Sequence, residues 1–469
     1  MSNHLTTQGK AKQINLDNSR YGTFAEIGAG QEVARQFFQA GKASQTIAKS
    51  MSAYDMIVSD DIYGREENGR YVCESRLMKM LKHESELLVS RLQEKRDALT
   101  CFFTFADTVA TSNIEENGKQ SHGWLGVRFQ ANARGQMNDI ILHVRMLDKF
   151  RLQQQEALSI LGVNLIHAAF YCLDDKENFI DRLFDNLKDG QVVIDVIKFH
   201  GPNVSHFDHR LMNLELVRRD YAEAILFSPQ FEILNFADAV YNKCLLIQRG
   251  TFRPVTQTHL DVLAKGSLQL EQDCLQITGK KLKCLPIVEI TTSGSAQDPT
   301  MTKEDLLARA ETLTACGLHV LITNFSQFHR MKEHIRRYNP QPMAFVIGAH
   351  HLDKLFDENY YKDLSGGTLE GLGKLLDQKS KVYVYPHKTD QICMTAKVYS
   401  PNPPYHHIYH YFKETKTLLD ISGCDESGTY YHSSDAQKML IEKNPQWENI
   451  VPTAAVAIIK AKSFFGLKK

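Results

Sequence analysis

The residues best suited to chemistry in the first half of this chain stand together. Lys198 and His200 end an apolar run, and Asp208 and Arg210 follow a short turn later. A lysine and an arginine can hold an anion, while His200 or Asp208 can move a proton. The spacing therefore predicts Lys198, His200 and Asp208 as catalytic candidates and Arg210 as a ligand contact. Arg145, at the end of the run Ile140–Met146, sits just before Gln153-Gln154-Gln155-Glu156, which opens a helical pattern. Strand ends facing helix N-termini are common anion sites in α/β folds. Arg249 and Arg253 flank a Gly-Thr-Phe turn and present two guanidinium forks, so both are ligand-binding candidates. Each of these groups also fits a plain structural role as a cap, turn or solvated loop.

Gly28 and Gly30 form a glycine loop with Gly22 before it. Its backbone amides are candidates to approach an anion. The loop departs from the dinucleotide fingerprint, because Val33 stands where the last glycine belongs and no strand pattern precedes it. Gly41-Lys42 resembles the end of a phosphate loop, but Gln36 and Ala43 replace its first glycine and its magnesium-binding hydroxyl. His406 and His410 are spaced to share a metal on a helix, yet the H-E-x-x-H pattern is absent and no metal is assigned. The residues identify no cofactor.

These groups must be positioned by an α/β framework. The second half reads as strand–helix–strand throughout: Leu285–Thr291, a helix from Thr302, His319–Asn324, a helix to Tyr338, Met343–Gly348, helices, and Lys381–Tyr385. That order predicts a mainly parallel sheet with right-handed crossovers. Parallel, adjacent strands would bring Thr291-Thr292-Ser293, Asn324, His350 and Tyr385-Pro386-His387 to one edge. Asn324 and His350 are therefore ligand-binding candidates, and Glu289, inside a strand, needs a buried partner or a role.

The first half predicts a helical segment from Tyr21, a helix near 44–57, a strong helix over 75–95, and strands at Cys101–Ala106, Trp124–Phe129, Ile140–Met146 and Gln191–Phe199. A strand is also expected around Leu211–Val217. The expected division is a disordered tail over 1–20, an N-terminal helical and α/β domain over 21–265, and a C-terminal α/β domain over 280–469, with a boundary near Gly266–Gly279. The longest motifs fall in the first half, so a site shared between the halves is expected.

Composition bounds the function classes. The chain has 55 basic and 55 acidic residues, which argues against broad nucleic-acid binding and against a polybasic membrane-surface protein. Nine scattered cysteines (Cys73, Cys101, Cys172, Cys244, Cys274, Cys284, Cys316, Cys393 and Cys424) form no C-x-x-C pair and suit a reducing compartment. With no apolar run of membrane-helix length and no secretory h-region, a cytoplasmic location is expected.

Arg20-Tyr-Gly-Thr-Phe-Ala-Glu-Ile-Gly-Ala-Gly-Gln-Glu, Ser121-His-Gly-Trp-Leu-Gly, His143-Val-Arg-Met-Leu-Asp and Arg249-Gly-Thr-Phe-Arg-Pro-Val-Thr resemble a bacterial family over about residues 20–465. Its members carry two automatic labels, TonB-dependent receptor and nicotinate-nucleotide adenylyltransferase. The first implies a large outer-membrane barrel, whose strand pattern is not present. The second implies a nucleotidyltransferase with an H-x-G-H motif, for which His206-Phe-Asp-His209 is the nearest counterpart and lacks the glycine. The expectation is thus a protein, enzymatic in the leading reading, that binds a small anionic or nucleotide-like ligand at strand ends. A nucleotidyltransferase and a non-catalytic interaction or regulatory protein are the alternatives.

Overall fold

The computed structural model describes residues 5–66, 69–112, 121–293, 301–388, 393–423 and 431–467. It is an α/β protein in two compact units, residues 1–222 and 223–469.

The first unit runs α1 (Thr7–Leu16), β1 (Arg20–Ile27), α2 (Glu32–Ala40), β2 (Ile47–Met51), α3 (Met56–Tyr63), α4 (Glu74–Leu92), β3 (Cys101–Ala110), β4 (Ser121–Gln130), β5 (Met137–Met146), α5 (Arg151–Tyr171), α6 (Phe179–Phe184), β6 (Val192–His200) and α7 (His209–Arg218). Its six strands lie in the order β2-β1-β3-β4-β5-β6. β1 is parallel to both neighbours, and β3 to β6 are antiparallel.

Four expectations for this unit are corrected. Residues 7–16 are a helix, not a tail: Lys10 is buried and donates to Asn164 Oδ1 and Asp185 Oδ2, both at 2.8 Å. Its anchors are polar, so it carries no apolar stripe to read. Residues 20–27 are a strand, not a helix. Pairing on both sides buries Gly22 through Glu26 in succession, which erases the period-2 signal. Residues 44–57 hold a 3₁₀ turn, β2 and the start of α3. Residues 209–218 are a helix, not a strand, capped by Asp208.

The second unit runs β7 (Ala224–Phe227), β8 (Ile233–Leu234), α8 (Phe236–Val240), β9 (Cys244–Arg249), α9 (Gln257–Thr278), β10 (Cys284–Thr291), α10 (Lys303–Ala315), β11 (His319–Thr323), α11 (Phe328–Tyr338), β12 (Met343–Gly348), α12 (Leu352–Leu355), α13 (Gly367–Leu375), β13 (Ser380–Tyr385), β14 (His387–Lys388), β15 (Cys393–Met394), α14 (His406–Glu414), β16 (Leu418–Asp420), α15 (Ser433–Ile441), α16 (Trp447–Ile450) and α17 (Thr453–Lys462). Eight strands form one sheet in the order β16-β13-β12-β9-β10-β11-β7-β8. All neighbours are parallel except at the β11-β7-β8 edge. The strands of the predicted β-α-β run are parallel as expected, but β9 separates β10 from β12.

β9 makes the sheet a doubly wound one. From β9 the chain steps to β10 and β11 on one side, then returns to β12 and β13 on the other. The order reverses between β9 and β12, where a crevice opens at the strands' carboxyl ends. Leu245, Ile247, Phe345, Ile347, Val382 and Val384 build one buried face with α11, α13 and α14.

The boundary expected near Gly266–Gly279 is corrected to Ala222/Glu223. Gly266 is not in a linker but inside α9. A Cβ there would come within 2.9 Å of Leu246 Cδ2, so glycine lets the helix lie close on β9. The 22 residues of α9 form one helix, with Thr256 and His259 in a capping box and Gly279 as the left-handed stop.

Candidate functional site

A cavity of about 820 Å³ opens at the carboxyl ends of the second unit's sheet. Gln248, Arg249 and Gly250 line it from β9, and Val346, Ile347 and Gly348 line it from β12, so it occupies the crevice at the reversal point. Five histidines line it: His259, His350, His351, His387 and His432. So do Arg249, Arg253, Arg309 and Lys354. The volume suits a small-molecule ligand.

Each group is placed by a strand end or a helix start. Gly348 and Tyr385 are register partners on β12 and β13, and His350 and His387 each follow two residues later. A Cβ on Gly348 would meet His350 Cε1 at 2.5 Å and the Tyr385 ring at 3.0 Å. Only glycine lets the His350 ring fold back there. His432 is the N-cap of α15: its side chain accepts the Asp435 backbone N–H, and its own backbone N–H donates to Asp435 Oδ2 at 2.8 Å. Thr256 and Thr258, at the start of α9, hold the preceding Tyr431 through its carbonyl and its N–H, at 2.9 and 3.0 Å.

Burial, reinforced by neighbouring histidines and Lys354, pushes His350 down to about 3. Burial, with His432 nearby, pushes His259 down to about 4. Burial also lowers His432, with His387 adding to the effect. His259 Nδ1 accepts the Thr256 backbone N–H at 3.0 Å, so its proton sits on Nε2. Arginine and lysine supply positive charge in the cleft, and the imidazoles add hydrogen-bonding groups.

The two predicted arginines have different tasks. Arg249 Nε and Nη2 donate to Glu289 at 2.6 and 3.1 Å, and Nη1 and Nη2 donate to the carbonyls of Ser326 and Phe325. Its fork is filled from within the protein. Glu289, fully buried, also accepts Thr323 Oγ1 at 2.6 Å, so it is a satisfied structural acid. Arg253 holds Asp305 Oδ1 through Nε at 2.7 Å, and Arg309 shares that carboxylate. Among the described residues the Nη groups of Arg253 make no hydrogen bond, and its guanidinium lies over the Phe465 ring, 5.9 Å from the centroid.

The other predicted residues do not line this cavity. Asn324 follows β11, where its backbone N–H donates to Glu223 O at 3.2 Å. In the first unit, Lys198 Nζ lies 2.8 Å from both carboxylate oxygens of Glu74. Asp208 caps α7 and pairs with Arg210 through two 3.0 Å contacts. His200 is exposed at the end of β6. Arg145, buried, donates through Nε to Asp195, which also meets His143 Nδ1 at 3.1 Å. Burial alone would raise the Asp195 carboxyl, but Arg145 and His143 together hold it well below its ordinary range.

Gly28 and Gly30 have positive φ angles of 90° and 84°. A Cβ on Gly28 would lie 1.8 Å from Val109 O, so the glycine permits close passage over β3. The anion at the α2 N-terminus is the protein's own: Glu26 accepts the backbone N–H groups of Val33 and Ala34 at 3.1 and 3.0 Å. Residues 294–300, which follow β10 in the sequence, lie outside the described residues.

His387 and His432 were missed as site residues in the sequence, although His387 stood at a recognised strand end. His432 had one usable signal: His432-Ser-Ser-Asp435 has the spacing of a capping box with histidine in the capping position.

No family model matches the chain, and no curated protein is similar to it. Solved structures show weak likeness. A competence/damage-inducible protein from Agrobacterium tumefaciens is 17% identical over 36% of this chain and 98% of its own, with a TM-score of 0.25. The CinA-superfamily protein from Enterobacter cloacae is 12% identical over 36% of this chain and 95% of its own, with a TM-score of 0.26. Nicotinic acid mononucleotide adenylyltransferase from Plasmodium falciparum, complexed with NaAD, is 13% identical over 48% of this chain and 98% of its own, with a TM-score of 0.29. Likeness at this level carries no functional argument. Among the described residues no helix is long and apolar enough to cross a membrane.

Proposed function

We propose that the protein binds a small anionic ligand, of the phosphate-bearing or nucleotide-like class, in the strand-end cleft of its second unit. The observation that carries this reading is the convergence of Arg253, Arg309, Lys354 and five histidines on one cavity at the reversal point of a parallel sheet. Open α/β sheets bind ligands at that position, and guanidinium forks match phosphate oxygens. Arg253 is the anchoring contact, Arg249 the strut that shapes the wall, and His259 and His350 are hydrogen-bonding groups of the lining. Nothing in the arrangement depends on Lys198, His200 or Asp208.

A thermal-shift screen of the full chain with inorganic phosphate, pyrophosphate, nucleotides, sugar phosphates and NAD precursors tests this. The expected result is a rise in midpoint with at least one phosphate-bearing compound that Arg253→Ala abolishes. No shift with any of them at millimolar concentration overturns the reading.

A further inference from the structure

Three histidines of the cleft have a geometry that anion binding does not require. The ring nitrogens of His350, His387 and His432 lie within 4.8 Å of one another. They come from three separate elements, the ends of β12 and β13 and the start of α15. His387 Nδ1 and His432 Nε2 are 3.2 Å apart. A tetrahedral zinc with Zn–N near 2.0–2.1 Å holds its nitrogens about 3.4 Å apart, so this pair already has the required spacing. His350 supplies a second, independent observation: its Nδ1 is buried and, among the described residues, has no hydrogen-bond partner. An orphaned imidazole nitrogen beside two others is costly unless something else engages it.

We propose that His350, His387 and His432 bind a zinc-class divalent ion, leaving one coordination position open to the cleft. Three imidazoles select borderline transition metals over magnesium or calcium, which prefer oxygen ligands. The surroundings also hold one of the rings in place. Asp435 Oδ2 accepts the His432 backbone N–H at 2.8 Å and so fixes where His432 stands at the start of α15. The proposal does not depend on the anion reading, because each can hold without the other.

Cobalt(II) titration of the full-length chain, freed of metal beforehand, tests it through the visible absorption of a four-coordinate ion. The expected result is one equivalent bound with micromolar or tighter affinity. His350→Ala and His387→Gln should each weaken it at least a hundredfold while circular dichroism stays unchanged. Asp435→Ala, which removes the acceptor that holds His432 in place, should weaken it about tenfold or more. The exposed pair His406 and His410, with Nε2 atoms 3.1 Å apart, is the competing site. No absorption, millimolar affinity, or loss of binding in His406→Ala with full binding in His350→Ala would overturn the proposal. Phosphate binding measured on the same metal-free protein separates a failure here from a failure of the anion site.

Discussion

Both units place polar residues at strand ends and helix starts, with opposite outcomes. In the first unit the groups close on one another: Glu26 fills the α2 N-terminus, Lys198 meets Glu74, Arg145 meets Asp195, and Asp208 meets Arg210. In the second unit, β12 and β13 end in histidines that converge on a cavity, and the chain reverses direction across the sheet beside them. A polar residue at a strand end thus becomes a site only where topology leaves a crevice. Residue type alone does not separate the two cases.

The sharpest way to break this comparison is to remove the strut of the cleft. Arg249→Ala leaves Glu289 buried and uncompensated, which should cost about 3–5 kcal/mol. Urea unfolding would read it, and a loss below about 1 kcal/mol would show that the Arg249–Glu289 pair does not shape the wall.

The first unit's inward-turned chemistry predicts a pH effect. Glu26 and Asp107 are register partners, both buried, on β1 and β3. Burial raises both, Glu26 to about 7 from its ordinary value near 4.5, and the Glu26 charge adds to the rise at Asp107. A carboxyl raised on folding binds more protons folded than unfolded, so stability is greatest on the acid side and falls as pH rises from about 4.5 to about 7. At about 1.4 kcal/mol per unit the fall reaches roughly 3 kcal/mol. Glu26→Gln should flatten that part of a stability–pH curve; an unchanged slope would show that the pair is not the source.

How much of this was legible depends on what each element shows in sequence. The second unit's strands were readable because β10, β11, β12 and β13 are short apolar runs between well-capped helices. Thr302 and Gly317 marked the α10 ends. α1 and β1 were not readable: one is held by a buried lysine, the other is buried on both faces. α9 was hidden by Gly266, which signals a break until Leu246 is seen beneath it. Of the cleft, Arg249, Arg253 and His350 were legible as polar residues at strand ends. That Arg249 is consumed by Glu289 was not, since β9 lies between β10 and β12 only by topology. Nor was His432, which is distant in sequence and brought in by the contacts of Tyr431 with α9.

Smaller effects sharpen the contrast. Arg253→Ala should lower affinity for a phosphate-bearing ligand tenfold or more, about 1.4 kcal/mol, with little change in the urea midpoint. Lys198→Ala removes a half-exposed pair with Glu74 and should cost less than about 1 kcal/mol in stability. It should leave ligand affinity as it was, which fluorescence titration can confirm.

The central claim is that the cleft of residues 223–469, and not the strand-end groups of the first unit, holds the anion. Isothermal titration of pyrophosphate into the full-length chain tests it most directly, with Arg253→Ala compared against the double variant Lys198→Ala/Arg210→Ala. Affinity lost in the former and kept in the latter is the predicted result. The reverse pattern would contradict it.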